Sequence, residues 1–314
     1  MKRFLSLALA AVLVLTMAAC GQSTTPKIDT NDALSIVTTT FAPYDFTRAI
    51  VGDGAKLTML LPPAAESHSF EPTPEDIITI QKCDVFIYVG GESDQWVTDV
   101  LSSIDTTDMV VITLMDCVVP LEEEIVEGME EEDEEEEGVA YDEHVWTSPL
   151  NAKLIVQKIS SAVCGADPAN AALYQENTTA YLHELDELDA EFRAVVAGGK
   201  RTTLVFGDRF PFRYLAEAYG LTYYAAFPGC STETEASAAT VAFLIDKVEA
   251  EDIPVVFKIE LSNGKMADTI AEETGAQVLE LHACHNITKK DFESGKTYLE
   301  LMHSNADALR VALY

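Results

Sequence analysis

From Asp167 to Gly199 the chain carries one long helical signal, and that length limits what the rest can build. Asp167 suits an N-cap, Pro168 the first helical position, and Gly198-Gly199 a left-handed stop. No proline or glycine intervenes, and Leu185, Leu188, Phe192 and Val195 recur at steps of three and four. About 30 residues at ~1.5 Å each make a rod of roughly 45 Å, longer than one small domain needs. Two readings follow: an ordinary long surface helix, or a stiff strut with a lobe at each end and a ligand between the lobes.

The 314 residues suffice for two compact domains, and a hydrophobic content of 48% supports real cores. A net charge of −33 argues against nucleic acid and for cations as partners. At the N-terminus Lys2-Arg3 precede an apolar run from Phe4 to Ala19, then Cys20. That is the order of a secretory signal, and the run falls short of the ~20 residues of a comfortable membrane span. Met17-Ala18-Ala19-Cys20 resembles the bacterial lipobox, with Met where Leu is usual. The expectation is a signal peptide over 1–19, lipid attachment at Cys20 and a polar tether over 20–33. Of the other cysteines, Cys83 and Cys164 sit in apolar contexts and read as core thiols.

Strand and helix signals alternate on both sides of the long helix. Strands are expected at Ser35–Thr39, Leu57–Leu61, Asp84–Val89 and Val110–Leu114, then at Thr203–Phe206, Leu221–Ala225, Val255–Ile259 and Gln277–Leu281. The fold class is α/β: two lobes with mainly parallel four-stranded sheets, over 34–166 and 200–314, joined by a rigid helix over 167–199. Glu122 to Glu137 contains twelve carboxylates, and such a run repels itself. It reads as a disordered acidic loop over 121–140, outside the core, that collects cations weakly.

Three of the six histidines follow places where an element ends. His68 follows the second strand, His285 follows the last, and His144 leaves the acidic insertion; Asp208 follows the first strand of the second half. Open α/β sheets bind ligands beyond the carboxyl ends of their strands, so two facing lobes would bring these four to one cleft. Imidazole and carboxylate suit a borderline divalent metal. His183 and His303 lie within helical stretches and read as structural or solvated.

Glu66-Ser67-His68-Ser69-Phe70-Glu71-Pro72-Thr73-Pro74-Glu75-Asp76 resembles the first metal-ligand segment of the zinc and manganese substrate-binding lipoproteins of ABC transporters. Asp84–Gly91 with Trp96 is similar to the same family. Asp142-Glu143-His144-Val145-Trp146-Thr147-Ser148-Pro149 is similar to its second ligand motif. The likeness spans Ser35 to Leu313. It implies two α/β lobes on one rigid helix, a charged loop before the second ligand, and ligation by His68 and His144. The third ligand position of the family falls on Arg209, which has no lone pair to give, so Asp208 is taken as its substitute. The fourth falls on His285, with His282 as an alternative on the same loop. Glu233 and Glu235 are expected either to orient an imidazole or to be solvated loop residues. Some family members carry a disulfide at comparable places, which implies a Cys230–Cys284 bridge here.

The resemblance implies extracytoplasmic capture of Zn²⁺ by a lipid-anchored monomer and delivery to a membrane permease. Mn²⁺ fits less well, because it favours more oxygen ligands. One alternative is a zinc hydrolase with Glu66 or Glu143 as base, but four protein ligands would leave no position for water, and no helical His-Glu-x-x-His is present. The other is a binding protein for a different solute. Since ligating imidazoles must be neutral, binding is expected to weaken below about pH 6.5.

Overall fold

A computed structural model describes residues 33–129, 140–231 and 235–314. The expected signal peptide, most of the tether with Cys20, and Glu233 lie outside the described residues. The strands are β1 (Ser35–Thr38), β2 (Lys56–Met59), β3 (Val85–Tyr88), β4 (Val110–Thr113), β5 (Thr203–Phe210), β6 (Thr222–Pro228), β7 (Val255–Lys258) and β8 (Gln277–Glu280). The helices are α1 (Phe41–Val51), α2 (Pro74–Gln81), α3 (Gln95–Ser103), α4 (Pro149–Ala166), α5 (Ala171–Gly198), α6 (Arg213–Tyr219), α7 (Ala238–Ala250), α8 (Lys265–Thr274), α9 (Lys289–Ser294) and α10 (Tyr298–Leu313).

The strands form two four-stranded parallel sheets, ordered β2-β1-β3-β4 and β6-β5-β7-β8. The second sheet repeats the topology of the first. Val85, Phe86 and Ile87 are wholly buried, as are Val256 and Phe257. Unbroken apolar runs of this kind belong to parallel strands covered on both faces. In each sheet the strand order reverses beside β1 or β5, so the chain leaving those strands opens the crevice in which α/β folds bind ligands.

Helix α5 is 28 residues long, ~42 Å at 1.5 Å per residue. It begins at Ala171 rather than Asp167. Residues 167–170 are a turn in which Asp167 accepts hydrogen bonds from Asn170 Nδ2 (2.7 Å) and Tyr174 Oη (2.9 Å), so Pro168 precedes the helix instead of opening it. It is also no bare rod. Tyr174, Tyr181, Leu185, Leu188, Phe192 and Val195 are buried, and α1, α4 and α10 pack against it.

The acidic stretch departs from its expected disorder over its described part. Glu122 bridges to Tyr141 as an isolated antiparallel pair, and Glu123 N–H donates to Ala140 O. Glu124 accepts from Tyr223 Oη at 3.1 Å and pairs with Arg213, Glu127 pairs with Lys247, and Met129 is buried. Cations of the second lobe offset the repulsion that composition alone suggests, and Val126 and Met129 add apolar contact. Residues 130–139 lie outside the described residues.

The seam between the lobes is tied by backbone and side chain. Phe41 N–H donates to His285 O (3.0 Å), Ala64 N–H to Ile287 O (2.9 Å), Asn286 Nδ2 to Pro62 O and Ala65 O (2.8 Å each), and Trp146 Nε1 to Ala283 O (2.7 Å).

Candidate metal centre

Three strand-end loops meet in this seam. His68 lies between β2 and α2, His144 between β4 and α4, and His285 between β8 and α9. Each offers a ring nitrogen, and these atoms lie within 4.8 Å of one another. The ring centroids are 5.5, 5.1 and 4.3 Å apart for His68–His144, His68–His285 and His144–His285. The Nε2 atoms of all three are buried and have no hydrogen-bond partner among the described residues. An orphaned buried polar atom costs roughly 1–3 kcal/mol, so three converging ones mark a place built for something else.

The other nitrogen of each ring is held from behind. His68 Nδ1 is 2.7 Å from Ser93 Oγ. His144 Nδ1 is 3.0 Å from Asp142 Oδ1, which also accepts the His144 backbone N–H at 2.7 Å. His285 Nδ1 lies 3.5 Å from Glu260 Oε1. An acceptor at Nδ1 places the proton there and turns the Nε2 lone pair to the centre, the arrangement found around metal-ligating histidines.

These supports are themselves fixed. Glu143 Oε1 accepts from Ser93 N at 2.8 Å. A Cβ on Gly91 (φ +78°) would lie 2.4 Å from that oxygen, so only glycine lets the loop after β3 pass. Glu260, following β7, accepts Ala283 N–H at 2.6 Å and His285 N–H at 3.1 Å. Tyr214 Oη donates to Asp142 O at 2.8 Å, and Tyr298 Oη to Trp146 O at 2.7 Å.

Burial sets the protonation. It drives the His68 imidazole down to about 2, with the charges of His285, His144 and Arg209 adding to the effect. His144 is likewise lowered well below its ordinary value, mainly by burial. Burial raises Asp142 and Glu143 to about 7. Burial also pushes Glu260 up, but His282, His285 and the Ala283 N–H outweigh it and hold its carboxyl at about 2. His68 and His144 are therefore neutral in the metal-free protein far below pH 6.5.

Of the residues singled out from sequence, His68, His144 and His285 come together and Asp208 does not. Strand β5 continues past Phe206, with a register shift, to Phe210, and Asp208 is used within it. Its Oδ1 accepts Arg209 N–H (2.9 Å) and its Oδ2 accepts Ile259 N–H (3.3 Å). His282 is also outside the cluster. Its Nδ1 accepts Cys284 N–H (3.0 Å), Asn305 grips its backbone, and Cys284, at φ +60°, turns the loop before His285. Glu235 is exposed. The bridge between Cys230 and Cys284 is absent: both are free thiols. The Cys284 thiol is wholly buried and donates to His282 O, while the Cys230 backbone N–H bonds Glu123. His183 is exposed, and His303 pairs with Glu191 on the surface.

Sequence reasoning missed Glu260 and Ser93. Neither belongs to a motif, and the one available signal was that each follows a strand on the ligand-binding edge.

Two like α/β lobes with a nitrogen cage in the seam between them place the protein in the class of two-lobed solute-binding proteins. The chain belongs to the zinc-uptake complex component A periplasmic family, whose pattern it matches over residues 36–312. That family is a binding component of zinc uptake and not an enzyme. The high-affinity zinc uptake system protein ZnuA of Bacillus subtilis (strain 168) is 32% identical over 99% of this chain and 98% of its own length. The zinc-binding lipoprotein AdcA of Streptococcus pneumoniae (strain ATCC BAA-255 / R6) is 29% identical over 98% of this chain, which spans 60% of AdcA. Among solved structures, the metal-dependent lipoprotein YcdH of Bacillus subtilis superposes with a TM-score of 0.76 at 31% identity, covering 89% of this chain and 99% of YcdH. The Zn(II)-bound ZnuA-like domain of Streptococcus pneumoniae AdcA gives 0.75 at 28% identity, covering 90% of this chain and 99% of that domain.

Proposed function

We propose that this chain captures one Zn²⁺ outside the cell membrane through Nε2 of His68, His144 and His285 and hands it to the permease of an ABC transporter. The observation that carries this reading is the set of three buried, unpartnered Nε2 atoms, each with its Nδ1 supported from behind. Zinc–nitrogen bonds of about 2.0–2.1 Å bring the nitrogens of a tetrahedron to within ~3.4 Å. Atoms already within 4.8 Å need only a small inward movement. Three nitrogen donors favour zinc over manganese. The protein works as a monomer anchored by a lipid on Cys20; the lipobox-like segment supports this, as does the description of AdcA as a lipoprotein.

Metal analysis and zinc titration of the purified protein test the proposal, with Trp146, 5.7 Å from His144 by ring centroids, as fluorescence reporter. One tightly held zinc per chain is expected, lost by orders of magnitude in His144→Ala and kept in His183→Ala. Preference for manganese over equimolar zinc, or wild-type affinity in His144→Ala, would overturn it.

A further inference from the structure

Three imidazoles leave a fourth tetrahedral position to be filled, and a fixed cation and a loose anion line the small cavity beside His285. Arg209 has a side chain only 13% exposed, and its Nη1 donates to Ser231 O at 2.9 Å. Its Nη1 and Nη2 also reach Glu66 Oε1 and Oε2, but at 3.4 and 3.3 Å. Glu66 is 48% exposed and stands two residues before His68, whose backbone N–H it accepts at 3.4 Å. A small cavity of about 20 Å³ is lined by Glu66, Arg209, Glu260 and His285, among others. That volume takes one water-sized group, such as a single carboxylate oxygen.

We propose that Glu66 and Arg209 form an electrostatic latch on this site, in which Glu66 turns from Arg209 to fill the metal's open position while Arg209 stays in place and limits how tightly the ion is held. The inference rests on the zinc-capture reading above. Asp142 and Glu260 are committed to backbone N–H groups and imidazole Nδ1 atoms, so neither is free to turn in. Glu66 has no comparable bond, and its carboxylate offsets part of the charge that a dication brings to three neutral ligands. Arg209 opposes capture twice: it competes for Glu66, and its charge acts on the ion across a partly buried gap where screening is weak. A site with this composition binds zinc and also lets it go.

The test measures zinc affinity and chelator-driven zinc release for the full protein and three variants. Arg209→Gln is expected to bind zinc about tenfold tighter and to release it more slowly. Glu66→Gln is expected to bind about tenfold more weakly, and Arg209→Lys, which keeps the charge, to stay close to wild type. An Arg209 that merely supported the fold would give a looser Arg209→Gln protein with faster release. That result, or wild-type zinc affinity in Glu66→Gln, overturns the latch while leaving one zinc per chain and the capture reading intact. A wild-type protein that takes up no zinc overturns both.

Discussion

Asp142 should cost the metal-free protein stability as pH rises from about 4 to 7, because its carboxyl is raised on folding. His68 and His144, neutral when folded and protonated in the unfolded chain below pH 6.5, act in the opposite direction, so the effect is read as wild type against Asp142→Asn. Burial lifts its carboxyl from 3.8 to about 7, so over that window the folded state holds a proton the unfolded state has released. The Asp142 contribution is full below the unfolded value, falls through the window and is lost above the folded value. At ~1.36 kcal/mol per tenfold change in proton affinity, the loss is on the order of 4 kcal/mol. Glu143, raised to about 7 from 4.5, acts in the same direction. Glu260, held at about 2, acts oppositely, but only below its unfolded 4.5, so it does not mask the effect near neutrality. A bound dication beside the His144–Asp142 pair favours the ionised carboxylate, so zinc should abolish the loss and expel a proton near pH 7. Urea unfolding at half-unit pH steps, with chelator and with zinc, reads the profile directly. Asp142→Asn, which keeps an acceptor for His144 Nδ1, should remove this contribution, so that in chelator it gains stability relative to wild type as pH rises from about 4 to 7. An Asp142→Asn profile that runs parallel to wild type between about pH 4 and 7 would refute the reasoning.

Gly91→Ala should destabilise the protein by about 1–3 kcal/mol and weaken zinc binding, since the new methyl group meets Glu143 and strains a positive-φ position; unfolding and zinc titration of that variant check it. Peptide mapping without reduction should recover Cys230 and Cys284 as free thiols, and a linked pair would contradict the geometry. Deleting residues 130–137 should leave zinc affinity nearly unchanged by calorimetry. Replacing Glu124 and Glu127 with Gln should loosen the docked segment instead, measured as faster amide exchange over residues 122–129.

Much of the architecture could be read from sequence because the signals were local. Runs such as Val85-Phe86-Ile87-Tyr88 ended by Gly90-Gly91 announce buried strands, and their alternation with helical stretches fixes a parallel sheet. His68, His144 and His285 were visible because each ends a structural segment. What failed depended on partners distant in sequence. Asp208 looked like a strand-end ligand until β5 proved to extend through it and the loop after β7 took its carboxylate. The start of the acidic run, residues 122–129, docks where loose chain was expected, because composition says nothing of Arg213 and Lys247 on the other lobe. The family likeness implied a bridge between Cys230 and Cys284, but a disulfide needs Cβ atoms about 4 Å apart and facing, and a likeness in sequence does not supply that.

The same distant contacts bear on how the ion leaves. The loop of His285 is pinned across the seam by Phe41, Asn286 and the Trp146–Ala283 bond, and His144 is held by Asp142 beneath it. Withdrawing either imidazole breaks several buried hydrogen bonds at once, each worth about 1 kcal/mol when satisfied and more when orphaned. His68 hangs from one bond to Ser93, on a loop whose neighbouring Glu66 is half exposed and held only by long contacts to Arg209. Release therefore starts on the His68 side, with Glu66 returning to Arg209, before the lobes need to part. Slower zinc release in Ser93→Ala than in wild type would contradict that order, because removing the hydroxyl that supports His68 should only speed the first step.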